Sequence, residues 1–242
     1  MMTEQEQMAC RALEKFDTPT ISNALECFPG YDRRNGFMDP AIKSVIVCSK
    51  TYIGPAATAK IGTKEPPTDE EKEKLMPYLA HVREIGPGCI VVQQDIDDKI
   101  YGSYWGEVNV TMHQALGCSG VITSGGVRDL NEIEKMSFGY FAKEVVVSHV
   151  YAHIADFACK VIVGGLEILP GDIIACDRHG VIKIPREWLI KLEPVCRRIA
   201  EAELPVLENC RRALMRGEIV SLDELSEWRQ EMAKARKEAA ER

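Results

Sequence analysis

Polar and apolar positions along the chain follow a helical period at both ends and short apolar runs in the middle. The helical spacing predicts helices at 4–16, 21–27, 108–116 and 130–136, with a break at 18–20 where Pro19 lies. Runs rich in β-branched and apolar residues predict eight strands, at 42–48, 56–61, 89–94, 120–124, 142–147, 160–163, 173–176 and 181–184. The order of these elements indicates an α/β protein.

Three helix starts carry a capping box, in which Ser or Thr is followed three residues later by Glu, at 3–6, 68–71 and 221–224. After Arg186 the composition shifts to Glu, Arg, Lys, Leu and Ala, which predicts two long helices. We therefore divide the chain into a main domain, 1–185, and a C-terminal helical extension, 186–242, packed on the same domain or on a neighbouring subunit.

Composition and charge narrow the function classes. The 242 residues carry a formal net charge of −7, which argues against a nucleic-acid surface because phosphate binding needs a basic face. The nine cysteines are odd in number and widely spaced, which is typical of reduced thiols, so we expect a cytoplasmic protein. No apolar run has the length of a membrane span, and we expect no membrane partner.

The residues most able to carry chemistry lie at 106–107 and 128–129. Gly106-Glu107 begins a predicted helix, where free N–H groups and the helix dipole favour a bound carboxylate. Arg128 offers a bidentate fork for a carboxylate or enolate oxygen, and Asp129 offers a hard oxygen ligand for Mg²⁺. One helix and one strand separate the two pairs, which can therefore return to the same edge of a sheet.

These residues stand in a sequence that resembles a known family. The similarity runs through GGVRD at 125–129 and PGDIIACDRHGVIKIP at 170–185, and it covers roughly residues 14–186. The chain resembles the RraA-like family, which includes 4-hydroxy-4-methyl-2-oxoglutarate (HMG) aldolases, also active as oxaloacetate decarboxylases, and the ribonuclease regulator RraA. The resemblance implies a β/β/α swivelling fold and a lyase that uses Mg²⁺ or Mn²⁺ to cleave small 2-oxo acids.

The resemblance also implies a role for each matching residue. Arg128 contacts the pyruvoyl group and its developing enolate, and Asp129 holds the metal with support from Glu107. Glu107 stands where the aldolases have Asp, and Asn23 stands where the family has a helix acid. Besides Arg128, the groups implied to bind the substrate are the backbone amides of Gly106, Glu107, Val108 and Asn109. The family's trimers borrow an acid from a neighbouring subunit, so we expect a homotrimer or hexamer.

Two other functions stay open on the sequence alone. One is a non-catalytic regulator that binds a protein partner such as a ribonuclease, and the other is an aldolase for a different 2-oxo acid. Several further side chains are candidates for chemistry, but packing or backbone contacts explain them more simply: His81, His113, His149, Tyr151, His153, Asp156, Asp177 and His179.

Overall fold

A computed structural model describes residues 2–241, with side chains described to residue 239. Eight helices lie in this range: α1 Glu4–Leu13, α2 Thr18–Leu25, α3 Asp69–Lys72, α4 Leu75–Ile85, α5 Glu107–Ala115, α6 Leu130–Ile133, α7 Leu189–Arg216 and α8 Leu222–Glu241. The capping boxes at 3–6 and 68–71 are present, and Ser221 and Glu224 exchange the same pair of bonds. None of the helices in the described part of the chain is long and apolar enough to cross a membrane.

Nine strands form one nearly closed sheet. The strands of the chain are β1 Lys43–Ser44, β2 Tyr52–Gly62, β3 Ile90–Asp95, β4 Ser103–Trp105, β5 Gly120–Val127, β6 Gly139–Val145, β7 His153–Phe157, β8 Val161–Val163, β9 Leu166–Ile168, β10 Ile173–Asp177 and β11 Gly180–Ile184. The order β1-β6-β5-β3-β2-β10-β11 forms the main path, with β4 added beside β5 and β7 beside β2. Strands β8 and β9 form a separate hairpin.

The centre of the sheet is parallel. Strands β2, β3, β5 and β6 all run in the same direction, so their carboxyl ends meet at one edge. The first four residues of β3, β5 and β6 are all buried, because both faces of the sheet are covered there. One face packs under α4 and α5, and the antiparallel pair β10–β11 packs under α1, α2 and the first half of α7.

Three sequence predictions about local structure are wrong. The predicted strand 42–48 pairs only over Lys43–Ser44. The predicted break at 18–20 is the first turn of α2, because Asp17 caps the Thr20 N–H and a proline in the first turn removes no helical bond. The predicted strand 120–124 ends too early, because β5 continues through Gly125 and Gly126 to Val127. The short strands β4, β7 and β9 have no prediction to match them.

Candidate functional site

The two predicted pairs meet at the carboxyl edge of the parallel sheet. Strand β4 runs beside β5, with Trp105 opposite Val127, and the Arg128 N–H donates to the Trp105 carbonyl at 3.1 Å. Gly106 is the single residue between β4 and α5, and it is the N-cap of the helix. The start of α5 and the Arg128-Asp129 pair therefore lie side by side, as the βα spacing predicts.

Asp129 is held in a conformation that few residues adopt. Its backbone is left-handed, with φ 59° and ψ 41°, and its carboxylate Oδ2 accepts the Glu107 N–H at 2.9 Å. A side chain at position 106 would collide with this carboxylate in its present place, so Gly106 leaves room for the Asp129 side chain. Backbone strain of this kind concentrates at functional sites, which makes Asp129 a candidate site residue.

Arg128 stands beside this carboxylate. Its Nε lies 3.8 Å from Asp129 Oδ2, and about a third of each side chain is exposed. The Tyr140 hydroxyl donates to the Arg128 carbonyl at 3.0 Å, which fixes the backbone from the core side. The guanidinium therefore has a fixed base and an exposed end that can meet an anion.

These residues surround a cavity of about 230 Å³. Five of the six predicted site residues line it, and the exception, Glu107, is exposed at the start of α5, where its amide contacts Asp129. The first bond within α5 runs from the Val110 N–H to the Gly106 carbonyl, so the amides of Val108 and Asn109 have no partner inside the helix. The lining residues are Ser103, Tyr104, Gly106, Val108, Asn109, Arg128, Asp129, His149 and Ala152.

The donor set fits a hydrated cation better than a closed metal cage. Among the residues that the structure describes, no group of three or more His, Cys, Asp or Glu side chains is placed to hold a metal. The Asp129 carboxylate accepts the backbone N–H of Glu107, and Glu107 carries a second carboxylate at the exposed first position of α5. Mg²⁺ commonly binds one or two carboxylates and keeps several waters, so this pair fits it in chemical type.

Sequence reasoning did not single out Ser103, Tyr104 or Ala152. Strand β4 is only three residues long and gives no alternating pattern, and Gly102 before it is the only local mark. A side chain at Gly102 would collide with the backbone of His149, so this glycine lets the loop 148–152 approach the site. The Tyr104 hydroxyl is buried with no partner among the described side chains, and burial raises its pKa.

Most of the other candidate side chains lie away from the cavity in structural roles. His113 is fully buried, and His153 lies 3.6 Å from the Glu71 carboxylate on the outer side of β7. Asp177 accepts bonds from the Thr18 N–H and hydroxyl at 2.7 Å and from the His179 N–H at 2.8 Å. Asp177 and His179 thus make the backbone contacts that were expected of them.

Comparison with known proteins places the chain in a family. Residues 18–183 match the family described as RraA-like, Aldolase/RraA, and the chain belongs to it. An uncharacterized protein of Methanocaldococcus jannaschii is 25% identical over 216 residues, which cover 89% of this chain and 95% of that protein. A Halalkalibacterium halodurans protein named "Putative 4-hydroxy-4-methyl-2-oxoglutarate aldolase" is 24% identical over 135 residues, 55% of this chain and 60% of that one.

Solved structures agree on the fold. An uncharacterized protein from Pseudomonas syringae pv. tomato superposes with a TM-score of 0.69 at 20% identity, over 93% of both chains. A Streptomyces coelicolor protein described as an unusual member of the RNase ES inhibitor RraA family gives 0.62 at 18% identity, over 86% of this chain and 98% of that one. Similarity at this level establishes the RraA-like fold and leaves the activity to the chemistry of the site.

Proposed function

We propose that this protein is a divalent-metal-dependent lyase for small 2-oxo acids, acting by retro-aldol cleavage of 4-hydroxy-2-oxo acids, by decarboxylation of oxaloacetate, or by both. The observation that carries the proposal is the single cavity where the free amides of α5, the Arg128 guanidinium and the Asp129 carboxylate meet. Its volume of about 230 Å³ is below the roughly 300–1,000 Å³ of drug-sized sites, which suits a small acid.

The substrate carboxylate would bind at the start of α5. The amides of Val108 and Asn109 have no partner within the helix, and the helix dipole adds a partial positive charge at the same end. The Arg128 side chain at the cavity wall supplies a second set of donors. Together these two sets of donors would orient the substrate so that its 2-oxo group lies near Asp129 and the Arg128 guanidinium.

Arg128 would act on the charge that develops during cleavage. When the C3–C4 bond breaks, its electron pair becomes the enolate of pyruvate, with negative charge on the C2 oxygen. A guanidinium fixed in place before the reaction stabilises this oxygen without reorganisation. In oxaloacetate the departing fragment is CO₂; in a 4-hydroxy-2-oxo acid it is a carbonyl compound, and the hydroxyl proton must also leave.

Asp129 and Glu107 would hold the metal. A bound divalent cation supplies Lewis-acid polarisation of the 2-oxo carbonyl. The Asp129 Oδ2 bond to the Glu107 amide keeps that carboxylate turned toward the cavity. Asp129→Asn should therefore raise the metal concentration needed for half-maximal activity, with circular dichroism unchanged.

Pyruvate release from a panel of 2-oxo acids tests the proposal. Purified protein is assayed with oxaloacetate and with C4–C8 4-hydroxy-2-oxo acids in the presence of Mg²⁺, Mn²⁺ or EDTA. We expect metal-stimulated turnover that EDTA abolishes and added Mg²⁺ or Mn²⁺ restores. Full activity in EDTA would eliminate the metal, and absence of turnover on every substrate would favour a regulator that binds a protein partner.

We also propose that the protein assembles as a homotrimer or hexamer. In the described chain the first half of α7 is buried against α1 and α2, but its second half and the turn to α8 are not. Four large apolar side chains in this distal segment are 77–99% exposed: Leu214, Met215, Ile219 and Leu222. Such a patch is typical of a protein–protein interface, and a neighbouring subunit is the partner implied by the family.

The assembly is tested without deleting the helices, because deletion of 186–242 would remove part of the core. Light scattering should give a multiple of three times the 27.0 kDa chain mass. We expect a lower mass of the assembly in light scattering when four residues are replaced by Ser or Gln: Leu214, Met215, Ile219 and Leu222. The buried half of α7 is unchanged in this variant and should preserve the fold. A wild-type monomer with full activity would refute the assembly.

A further inference from the structure

The cavity has one histidine on its wall, His149, whose role the proposed function leaves open. We infer that His149 is the general base that takes the 4-hydroxyl proton in retro-aldol cleavage, an inference that rests on the proposed function. With this role His149 is needed only for cleavage of the 4-hydroxy-2-oxo acids, because decarboxylation of oxaloacetate has no hydroxyl proton to remove. The cavity wall, the loop backbone and the ring's own hydrogen bond support it.

Elimination among the polar side chains of the cavity leaves His149 as the base. Ser103 donates its hydroxyl to the Trp105 carbonyl, and Asn109 donates its amide to the Tyr104 carbonyl. Burial raises the pKa of the Tyr104 hydroxyl, which disfavours the phenolate.

The remaining two polar side chains, Arg128 and Asp129, have other roles. Arg128 is permanently cationic, and Asp129 already accepts the Glu107 amide and lies beside that guanidinium. Neither is suited to take a proton from a substrate hydroxyl.

The hydrogen bonding of the His149 ring places its lone pair. Nδ1 lies 2.9 Å from the Val150 carbonyl oxygen, which can only accept, so Nδ1 carries the ring hydrogen. In the neutral ring Nε2 then holds the lone pair and acts as an acceptor. Among the described residues no hydrogen bond involves Nε2, and an imidazole held by the backbone at one nitrogen can use the other as a base.

The loop that carries His149 is fixed and strained. The Ser103 N–H donates to the Ser148 carbonyl at 2.9 Å, and the Ala152 N–H donates to the His149 carbonyl at 2.9 Å. Val150 has φ 46°, a left-handed conformation that is unusual for a β-branched residue. Only three non-glycine residues in the described range have positive φ; one of them, Asp129, lines this cavity, and another, Val150, directly follows the lining residue His149. Strain at both places indicates that the surrounding contacts impose the geometry.

The chemical step balances without a further reagent. Nε2 takes the proton of the 4-hydroxyl while the oxygen's electrons form the new C4 carbonyl. The C3–C4 bond breaks, and its electron pair forms the enolate whose oxygen Arg128 stabilises. The imidazolium then returns the proton to C3 of the enolate, which gives pyruvate and regenerates the neutral ring.

Two reactions on one protein test the assignment. His149→Gln is assayed for cleavage of 4-hydroxy-4-methyl-2-oxoglutarate and for decarboxylation of oxaloacetate, with metal present. We expect kcat for cleavage to fall by about 10²–10³-fold, the usual contribution of a positioned base, while decarboxylation stays within about fivefold. Imidazole added to His149→Ala should restore part of the cleavage. His153→Gln is the matched control, because His153 lies near the same loop but contacts Glu71, and it should change neither reaction.

The outcomes separate the inference from the proposed function. A cleavage-to-decarboxylation ratio that changes less than tenfold in His149→Gln overturns the inference and leaves the lyase intact. The same holds if the wild type decarboxylates oxaloacetate but cleaves none of the hydroxy acids. A wild type inactive in both reactions removes the proposed function itself, and the inference with it.

Discussion

Two histidines near helix α5 show how one residue type is used in opposite ways. His113 is fully buried, with Nδ1 2.6 Å from the Asn109 carbonyl and Nε2 2.8 Å from the Tyr78 hydroxyl. Its ring also packs against Trp105, with centroids 4.5 Å apart. His149, at the cavity, has one nitrogen bonded to backbone and stands in an exposed, strained loop.

The two histidines differ in their hydrogen bonding and in their backbone setting. Both nitrogens of His113 are satisfied and its backbone is helical, so the ring completes the core under Trp105. At the cavity edge the backbone is strained at Asp129 and Val150, and donors at Arg128 and at the start of α5 are left for a ligand. The candidate site differs from the core in its unused hydrogen-bonding capacity and backbone strain rather than in residue type.

Replacing Arg128 tests the cavity side of the contrast most strongly. Arg128→Ala should lower kcat for oxaloacetate by about 10²–10³-fold, since one preorganised donor to an oxyanion is lost. Arg128→Lys should recover only part of the rate because an ammonium lacks the planar fork. Steady-state assays with saturating Mg²⁺ measure both variants.

Arg178→Ala serves as the control for Arg128. Arg178 is an exposed arginine in the turn between β10 and β11, and its loss should leave kcat unchanged. Activity of Arg128→Ala within a few-fold of the wild type would remove Arg128 from the mechanism.

The sequence predicts the central part of this edge well, for a physical reason. Periodicity and glycine position predict helix α5, strand β5 and the return of Arg128 to Gly106, because elements of a βα unit can return to the same edge of a sheet. The family resemblance adds the fold, which the match over 18–183 confirms. The start of α5 at Glu107 also agrees with the prediction.

What the sequence does not predict depends on contacts between distant segments. The approach of His149 requires a missing side chain at Gly102 and a left-handed Val150, neither of which has a local pattern. Strand β7 forms only by pairing with β2, which lies about a hundred residues away in sequence. Such features are set by tertiary packing and override local propensity.

The buried side of the contrast is tested by the pH dependence of stability. Burial lowers the pKa of His113 from 6.5 to about 4. In the unfolded chain His113 therefore binds a proton below pH 6.5, whereas in the folded chain it does so only at about pH 4. The free energy of unfolding should fall by roughly 3 kcal/mol between pH 7 and pH 4 on account of this group.

Urea unfolding at matched protein concentration measures this dependence in the wild type and in His113→Gln. The variant should be less stable at pH 7, where the bond to Tyr78 is lost or weakened, and its stability should decline less as the pH falls. The difference between the two proteins cancels the contributions of other groups. A wild type and variant with parallel pH curves would show that His113 does not resist protonation.

Asp95 lies between the two extremes and gives the smallest expected effect. It ends β3 beside Gly125, its Oδ1 accepts the Asp97 N–H at 3.0 Å, and its Oδ2 is buried with no partner among the described side chains. Burial, with help from the nearby Asp97 charge, raises the pKa of Asp95 from 3.8 to about 6. The folded state therefore favours the neutral acid, and the associated stability is fully present below pH 3.8 and is lost as the pH rises through 6.

Asp95→Asn should raise the free energy of unfolding by about 1 kcal/mol at pH 7.5 and by almost nothing at pH 4. The gain is reduced by solvent screening of this partly exposed carboxyl. Asp97→Asn is the opposing control, because the Asp97 carboxylate accepts the Thr63 N–H, the Thr63 hydroxyl and the Lys64 N–H, and its loss should destabilise the protein at pH 7.5. If Asp95→Asn proves equally or less stable than the wild type at pH 7.5, the Asp95 carboxylate has a partner in solution and belongs with the satisfied side of the contrast.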